Sequence, residues 1–384
     1  MKLFECQHCG QPLYFENDQC LSCGHRLGYL PARHDMTALE PAGDASRSNM
    51  SGCTWSSHIW RAAIDAKGLF RFCANAEHGI CNWLVSASAA EAFCAACRHN
   101  CTVPNLAVAG NLERWRKIEV AKHRLFYTLL RLRLPLVNRN DDPQGLAFDF
   151  IEPAGAPVTT GHDDGLITLN LKEADDPERE RQRGQMGEPY RTLLGHFRHE
   201  IAHYYWDRLV MRGGHVEAFR AVFGDERRNY AGALQQHYAA GPPANWPDHF
   251  VSAYASAHPW EDFAETWAHY FHMVDTLETA SAFGLTVRPT VAKAERLSTR
   301  IDFDPHEAEM ARLIEAWLPL TFAANSINRS MGQPDLYPFL LAPAVIGKLT
   351  FVHDQIHRGT RARDPVAAWR AMAVGLRRPV GRTR

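Results

Sequence analysis

His199, Glu200 and His203 stand in an H-E-x-x-H arrangement within YRTLLGHFRHEIAHYYWDRLV, residues 190–210. Side chains four apart on a helix lie one above the other on one face, so His199 and His203 can turn an imidazole nitrogen toward a single zinc ion. Glu200 lies beside them, placed to take a proton from zinc-bound water rather than to bind the metal. The motif alone is short enough to arise by chance, with both histidines simply hydrogen-bonded at a helix surface. A third ligand decides its value.

That ligand is sought in Phe250–Thr279, FVSAYASAHPWEDFAETWAHYFHMVDTLET. Pro259 suits a helix start, and Trp260, Phe263, Ala264, Trp267, Phe271 and Val274 supply an apolar pattern. Glu261 and Glu265 are four apart and share a face. Glu261 is the leading third ligand, while Glu265 is placed to accept the outer N–H of a ligating histidine and so fix its tautomer. Glu265 as the ligand instead, or His258, His269 or His272, are the alternatives. The plain structural reading makes Glu261, Asp262 and Glu265 the acidic first turns that a helix N-terminus favours.

All ten cysteines fall between Cys6 and Cys101. CQHCG (Cys6, Cys9) and CLSCG (Cys20, Cys23) are two tight knuckles able to complete a four-thiolate zinc shell, with a short strand around Leu13, Tyr14 and Phe15 between them. A disulfide or redox pair is the competing reading, but neither C-x-x-C precedes a long helix. Cys73, Cys81, Cys94 and Cys97 form a second candidate shell with wider first spacing; Phe70, Phe72 and CNWLV supply its strands. Cys101 could replace one of these ligands, as could His58, His78 or His99, and Cys53 reads as a small buried hydrophobe. The sequence therefore divides into a first zinc ribbon (1–30), a linker (31–52), a second ribbon-like module (53–105) and a larger domain (106–384).

The elements that must position these residues follow from periodicity. Residues 112–134 read as a long amphipathic helix with a basic face, and 148–151 as a strand. HDDGLITLNL (162–171) alternates as an edge strand able to align an extended peptide. The charged stretch 172–185 reads as a loop or flap. Leu194, Phe197, Ile201, Tyr205 and Leu209 mark one uninterrupted helix around the histidines, stopped near Gly213 and Gly214. Residues 215–240 read as a further helix and connection, 307–320 as a helix, and the stretch around Phe351 and Ile356 as another; the Arg-rich end from Arg377 reads as a tail. This gives an α+β, mostly helical domain with a small sheet.

With 384 residues, 46% hydrophobic and 22% charged, the chain can bury a large core, and its net charge of -1 excludes a global electrostatic case for nucleic acid or an anionic membrane. No apolar run approaches a membrane span and no leader pattern is visible, which predicts a cytoplasmic protein with no membrane partner. Trp55, Trp60, Phe70, Phe72 and Trp83 could stack nucleic-acid bases between Arg61, Lys67 and Arg71. Core packing or an interdomain contact is the favoured reading of them.

HFRHEIAHYYW followed by HPWEDFAETWAHYF, after two ribbons and GHDDGLITLN, resembles the bacterial zinc-binding metallopeptidases that carry an N-terminal zinc-ribbon region. The likeness covers essentially the whole chain. It implies a gluzincin-like, zincin-type fold with His199, His203 and Glu261 as ligands, Glu200 as base and Glu265 as orienting residue. Lethal-factor-like members of the broader group place a tyrosine shortly before the third-ligand glutamate, and Tyr254 matches that position, where its hydroxyl could stabilise an oxyanion. The expected function is zinc-dependent peptide-bond hydrolysis of a peptide or protein substrate, using one catalytic and two structural zinc ions, with the ribbons available to a protein partner. The alternative is a ribbon-based protein- or RNA-binding protein whose zincin-like part is a scaffold or acts on another amide.

Overall fold

The cysteine-rich region is built from strands, of which the first pair is only two residues long on each side. In the computed structural model, which describes residues 2–42, 58–153, 160–177, 179, 181, 192–291 and 294–361, β1 (Phe4–Glu5) and β2 (Pro12–Leu13) pair antiparallel beside the first knuckle. β3 (Arg26–Leu30) and β4 (Asp35–Pro41) form a hairpin across a 3-10 turn at Pro31–Arg33. Residues 31–41, expected as part of a linker, are thus a turn and a strand. Met36, Thr37, Ala38 and Leu39 are all buried, so β4 lacks the alternation that betrays a half-exposed strand. β5 (Trp60–Ala62), β6 (Asp65–Phe72) and β7 (Leu84–Ser86) extend the sheet in the order β3-β4-β5-β6-β7. Strands of both cysteine modules therefore share one sheet.

β8 (Asn100–Thr102) leaves that sheet and pairs in parallel with β9 (Ala147–Ile151), in a second sheet completed by β10 (Gly161–Asp163) and β11 (Leu166–Asn170), ordered β10-β11-β9-β8. The stretch expected as one edge strand is a tight hairpin, turning at Asp164 (φ 43) and Gly165 (φ 85). A side chain at Gly165 would meet the carbonyl oxygens of Gln144 and Gly145 at 2.6 Å, so both the turn and the close approach require glycine. The sheet edge is β10, and β11 lies inside. Of the stretch expected as a loop or flap, 172–177, 179 and 181 are described, opening on a 3-10 turn at Leu171–Ala174, whereas Cys53, Trp55 and the Arg-rich tail lie outside the described residues.

Helices supply the rest: α1 (Asn111–Arg131), α2 (Leu193–Tyr205), α3 (Val216–Phe223), α4 (Tyr230–Ala240), α5 (Pro259–Ala282), α6 (Met310–Ser330) and α7 (Pro343–Arg361). Where one helix and a connection were expected over 215–240, two helices stand, with Gly224 (φ 98) ending the first. α5 is buried along most of its length and packs between α2, α6 and α7. The basic side chains of α1 are largely paired: Arg114 with Asp175 at 3.0 Å, Arg124 with Glu16 at 2.7 Å, Arg131 with Asp304 at 2.8 Å, and Lys122 with Glu119 at 2.9 Å in full burial. Trp60, Phe70, Phe72 and Trp83 are buried, so these aromatics pack inside and present no base-stacking face. One hydrophobic core runs from Phe4, Phe15, Tyr29 and Trp83 of the ribbon region into α1, α2 and α5.

Candidate active site

α2 begins where Thr192 accepts the Gly195 N–H at 2.9 Å. It does not continue as a regular helix to Val210, as the apolar pattern suggested: Trp206–Met211 widens into a π-turn. Tyr204, Tyr205 and Trp206 are successive bulky buried residues, with Tyr205 stacked on Trp267 at 5.2 Å and Trp206 edge-on to Trp260 at 5.3 Å. A local widening accommodates three aromatic directions in a row, and such bulges recur at functional sites. α5 starts on the opposite wall, with the His258 side chain accepting the Trp260 N–H at 3.1 Å and Pro259 in the first turn.

These two helices bring His199, His203 and Glu261 together, one ligand atom from each lying within 4.8 Å of the others. His199 Nε2 is 3.0 Å from Glu261 Oε2, and His203 Nε2 is 3.7 Å from Glu261 Oε1. Ligand atoms about 2.1 Å from one tetrahedral zinc are separated by roughly 3.4 Å, so the spacing fits. The hydrogen bonding fits as well. His199 Nδ1 donates to Glu265 Oε1 at 2.7 Å, and Ser252 Oγ donates to Glu265 Oε2 at 2.7 Å. In the neutral ring this leaves Nε2 as a lone pair aimed at Glu261 Oε2, which is buried without a hydrogen-bond donor. Two lone pairs cannot face each other here unaided, so either a second proton on His199 or a metal ion lies between them.

Without a metal ion, the electrostatics place that second proton on His199. Burial would lower the His199 pKa, but Glu261 and Glu265 outweigh it and hold the ring well above its ordinary value. Burial lowers His203 to about 3, which keeps it neutral and able to ligate. Burial also opposes ionisation of Glu261, yet His199 and His203 hold its carboxyl well below the usual range. Glu200, 8% exposed, is raised by burial, as suits a base that must take a proton. The Tyr254 ring lies 5.9 Å from that of His199, its phenol pushed up by burial and then by Glu261. A cleft of about 1280 Å³ opens over these residues and is lined also by His162, His196 and Tyr230.

The sequence alternatives are engaged elsewhere. Glu265 faces the outer nitrogen of His199, His258 caps α5, His269 Nδ1 meets Tyr337 Oη at 2.7 Å, and His272 pairs with Arg198. Spacing gave no signal for Ser252, for Tyr230, whose hydroxyl donates to Glu261 Oε1 at 2.7 Å, or for His196, whose Nδ1 lies 2.5 Å from Glu173 Oε2.

Cys6, Cys9, Cys20 and Cys23 converge in one group, and Cys73, Cys81, Cys94 and Cys97 in another. Sulfur separations of 3.7 Å for Cys6 and Cys23, 3.6 Å for Cys9 and Cys20, and 3.7 Å for Cys81 and Cys94 match the roughly 3.8 Å edge of a four-thiolate zinc tetrahedron and are far too long for disulfides. Cys101 is exposed on β8, and neither it nor His58, His78 or His99 joins either group. His123 of α1 lies beside the second group, its Nε2 3.3 Å from Cys81 Sγ and 3.6 Å from Cys97 Sγ. That contact comes from 42 residues away and had no local signature.

Residues 111–355 match the model of a family described as "Putative zinc-binding metallo-peptidase". The chain belongs to this family. Residues 3–108 of this metallopeptidase-family chain match a zinc-ribbon domain, in keeping with the two cysteine groups. Uncharacterised proteins of Mycobacterium tuberculosis strain H37Rv and Mycobacterium bovis are each 42% identical over 355 residues, covering 92% of this chain and 94% of theirs. No solved structure matches the chain. Among the described residues no helix is long and apolar enough to cross a membrane.

Proposed function

We propose that the protein is a zinc-dependent peptidase in which His199, His203 and Glu261 hold the ion and Glu200 is the general base. The supporting observation is the convergence of one ligand atom each from His199, His203 and Glu261 within 4.8 Å, with His199 Nε2 3.0 Å from Glu261 Oε2. A zinc ion held by these three side chains would supply Lewis acidity, lowering the pKa of a water and polarising the scissile carbonyl. Glu200 takes a proton from the attacking water and passes it to the leaving amine as the C–N bond breaks. Tyr254 donates a hydrogen bond to the carbonyl oxygen as negative charge develops on it. Glu265, itself held by Ser252, keeps His199 oriented. The β10 edge beside the cleft lines up an extended chain through main-chain hydrogen bonds.

The test is cleavage of a diverse peptide mixture by the zinc-loaded protein, read by mass spectrometry against Glu200→Gln. The reading predicts new termini with wild type and a loss of roughly 10²–10⁴-fold in the variant. Equal cleavage by both, or none by either, contradicts it.

A further inference from the structure

A four-coordinate ion with one open position needs a single oxygen from Glu261, yet a carboxylate can offer two. Tyr230 Oη donates to Oε1 at 2.7 Å, while Oε2 faces His199 Nε2 at 3.0 Å. The phenol is held in place from several sides. Tyr230 is the first residue of α4, and the Asn229 side chain caps that helix by accepting the Gly232 N–H at 2.9 Å. Its ring is edge-on to His258 at 5.2 Å and to Trp260 at 6.3 Å, the latter directly preceding Glu261. Glu261 is 1% exposed and Tyr230 40%, so the bond is buried on the carboxylate side and reached from a partly exposed ring. Tyr254 also reaches the Glu261 carboxylate with its hydroxyl, but from another side, with its ring against His199 at 5.9 Å and His237 at 6.1 Å.

α4 itself covers one side of the cleft with Tyr230, Leu234, His237 and Tyr238, and it has no buried residue. Gly224 (φ 98) and Gly241 (φ 74) flank it with backbone conformations that favour glycine. The Tyr230 hydroxyl is thus a directed bond from a lightly packed helix to the metal centre.

We infer that Tyr230 is a positioning residue for the third ligand: its hydroxyl engages Glu261 Oε1, holds the carboxylate to one-oxygen ligation through Oε2, and ties α4 to the metal centre. This rests on the metal-centre reading proposed above. Partners that orient a ligand commonly change metal affinity by about 10–100-fold.

The experiment uses the full chain with zinc-filled ribbons. In Tyr230→Phe, chelator competition is expected to show about 10–100-fold weaker zinc at the catalytic site, with the ribbon ions retained as the check on folding. Cobalt exchanged into the catalytic site is expected to lose its intense four-coordinate visible absorption in favour of weaker five-coordinate bands. Tyr254→Phe is expected to lower kcat more and zinc affinity less than Tyr230→Phe does. Wild-type affinity and spectrum in Tyr230→Phe overturn this inference alone. A wild-type protein that retains only the ribbon ions overturns the metal-centre reading and this inference together.

Discussion

At the scale of residues, the site is defined by which lone pairs have donors. His199 Nδ1 is committed to Glu265, Glu261 Oε1 to Tyr230, and Glu261 Oε2 faces His199 Nε2 at 3.0 Å. Glu261→Gln should therefore lose the catalytic ion and keep the ribbon ions, so metal analysis should fall by one ion per chain. A second expectation concerns acid stability. His269 is 4% exposed, and burial lowers its pKa to about 4 from an ordinary 6.5. The unfolded state binds the proton more readily, so the stability contributed by neutral His269 is fully present above pH 6.5 and is lost as pH falls toward 4. Urea unfolding at pH 5 and pH 7 should show a smaller drop in His269→Gln than in wild type. Residue spacing along helices made His199, Glu200, His203, Glu261 and Glu265 legible in the sequence. Tyr230, Ser252 and His123 were not, since each reaches its partner from another element across the fold.

At the scale of elements, α2 and α5 must hold their relative position to a fraction of an ångström for three ligands to meet. Arg198 of α2 contacts Asp275 and His272 of α5 in full burial, and Thr128 of α1 donates to Asp275 at 2.7 Å. Arg198→Met leaves a buried carboxylate without its cation and should cost about 3–5 kcal/mol of unfolding free energy. Adding Asp275→Leu should restore most of that loss, measured by chemical denaturation. The long helices α1, α2 and α5 were readable because each hides one face at helical period. β4 was hidden by burial on both faces, the β10 hairpin by a turn inside an alternating run, and the π-turn by an apolar pattern that still looked regular.

At the scale of the molecule, the ribbons are built into the fold. β8 crosses from the ribbon region into the sheet beside the cleft, Phe15 and Tyr29 pack on Tyr127 of α1, and His123 of α1 lies over the second cysteine group. The two cysteine groups were legible from cysteine spacing, but the sharing of one core with the helices was not, because sequence order carries no record of which faces meet. Cys94→Ser should accordingly lower the thermal midpoint of the whole chain in a single transition, whereas an independent ribbon would melt in a separate early step. The account as a whole depends on where metal sits. Zinc-edge anomalous diffraction from crystals of the zinc-loaded protein tests this most directly. The predicted result is a peak bonded to His199 Nε2, His203 Nε2 and one Glu261 oxygen at about 2.0–2.2 Å, alongside one in each four-cysteine group. Filled ribbons with no density between His199, His203 and Glu261 would contradict it.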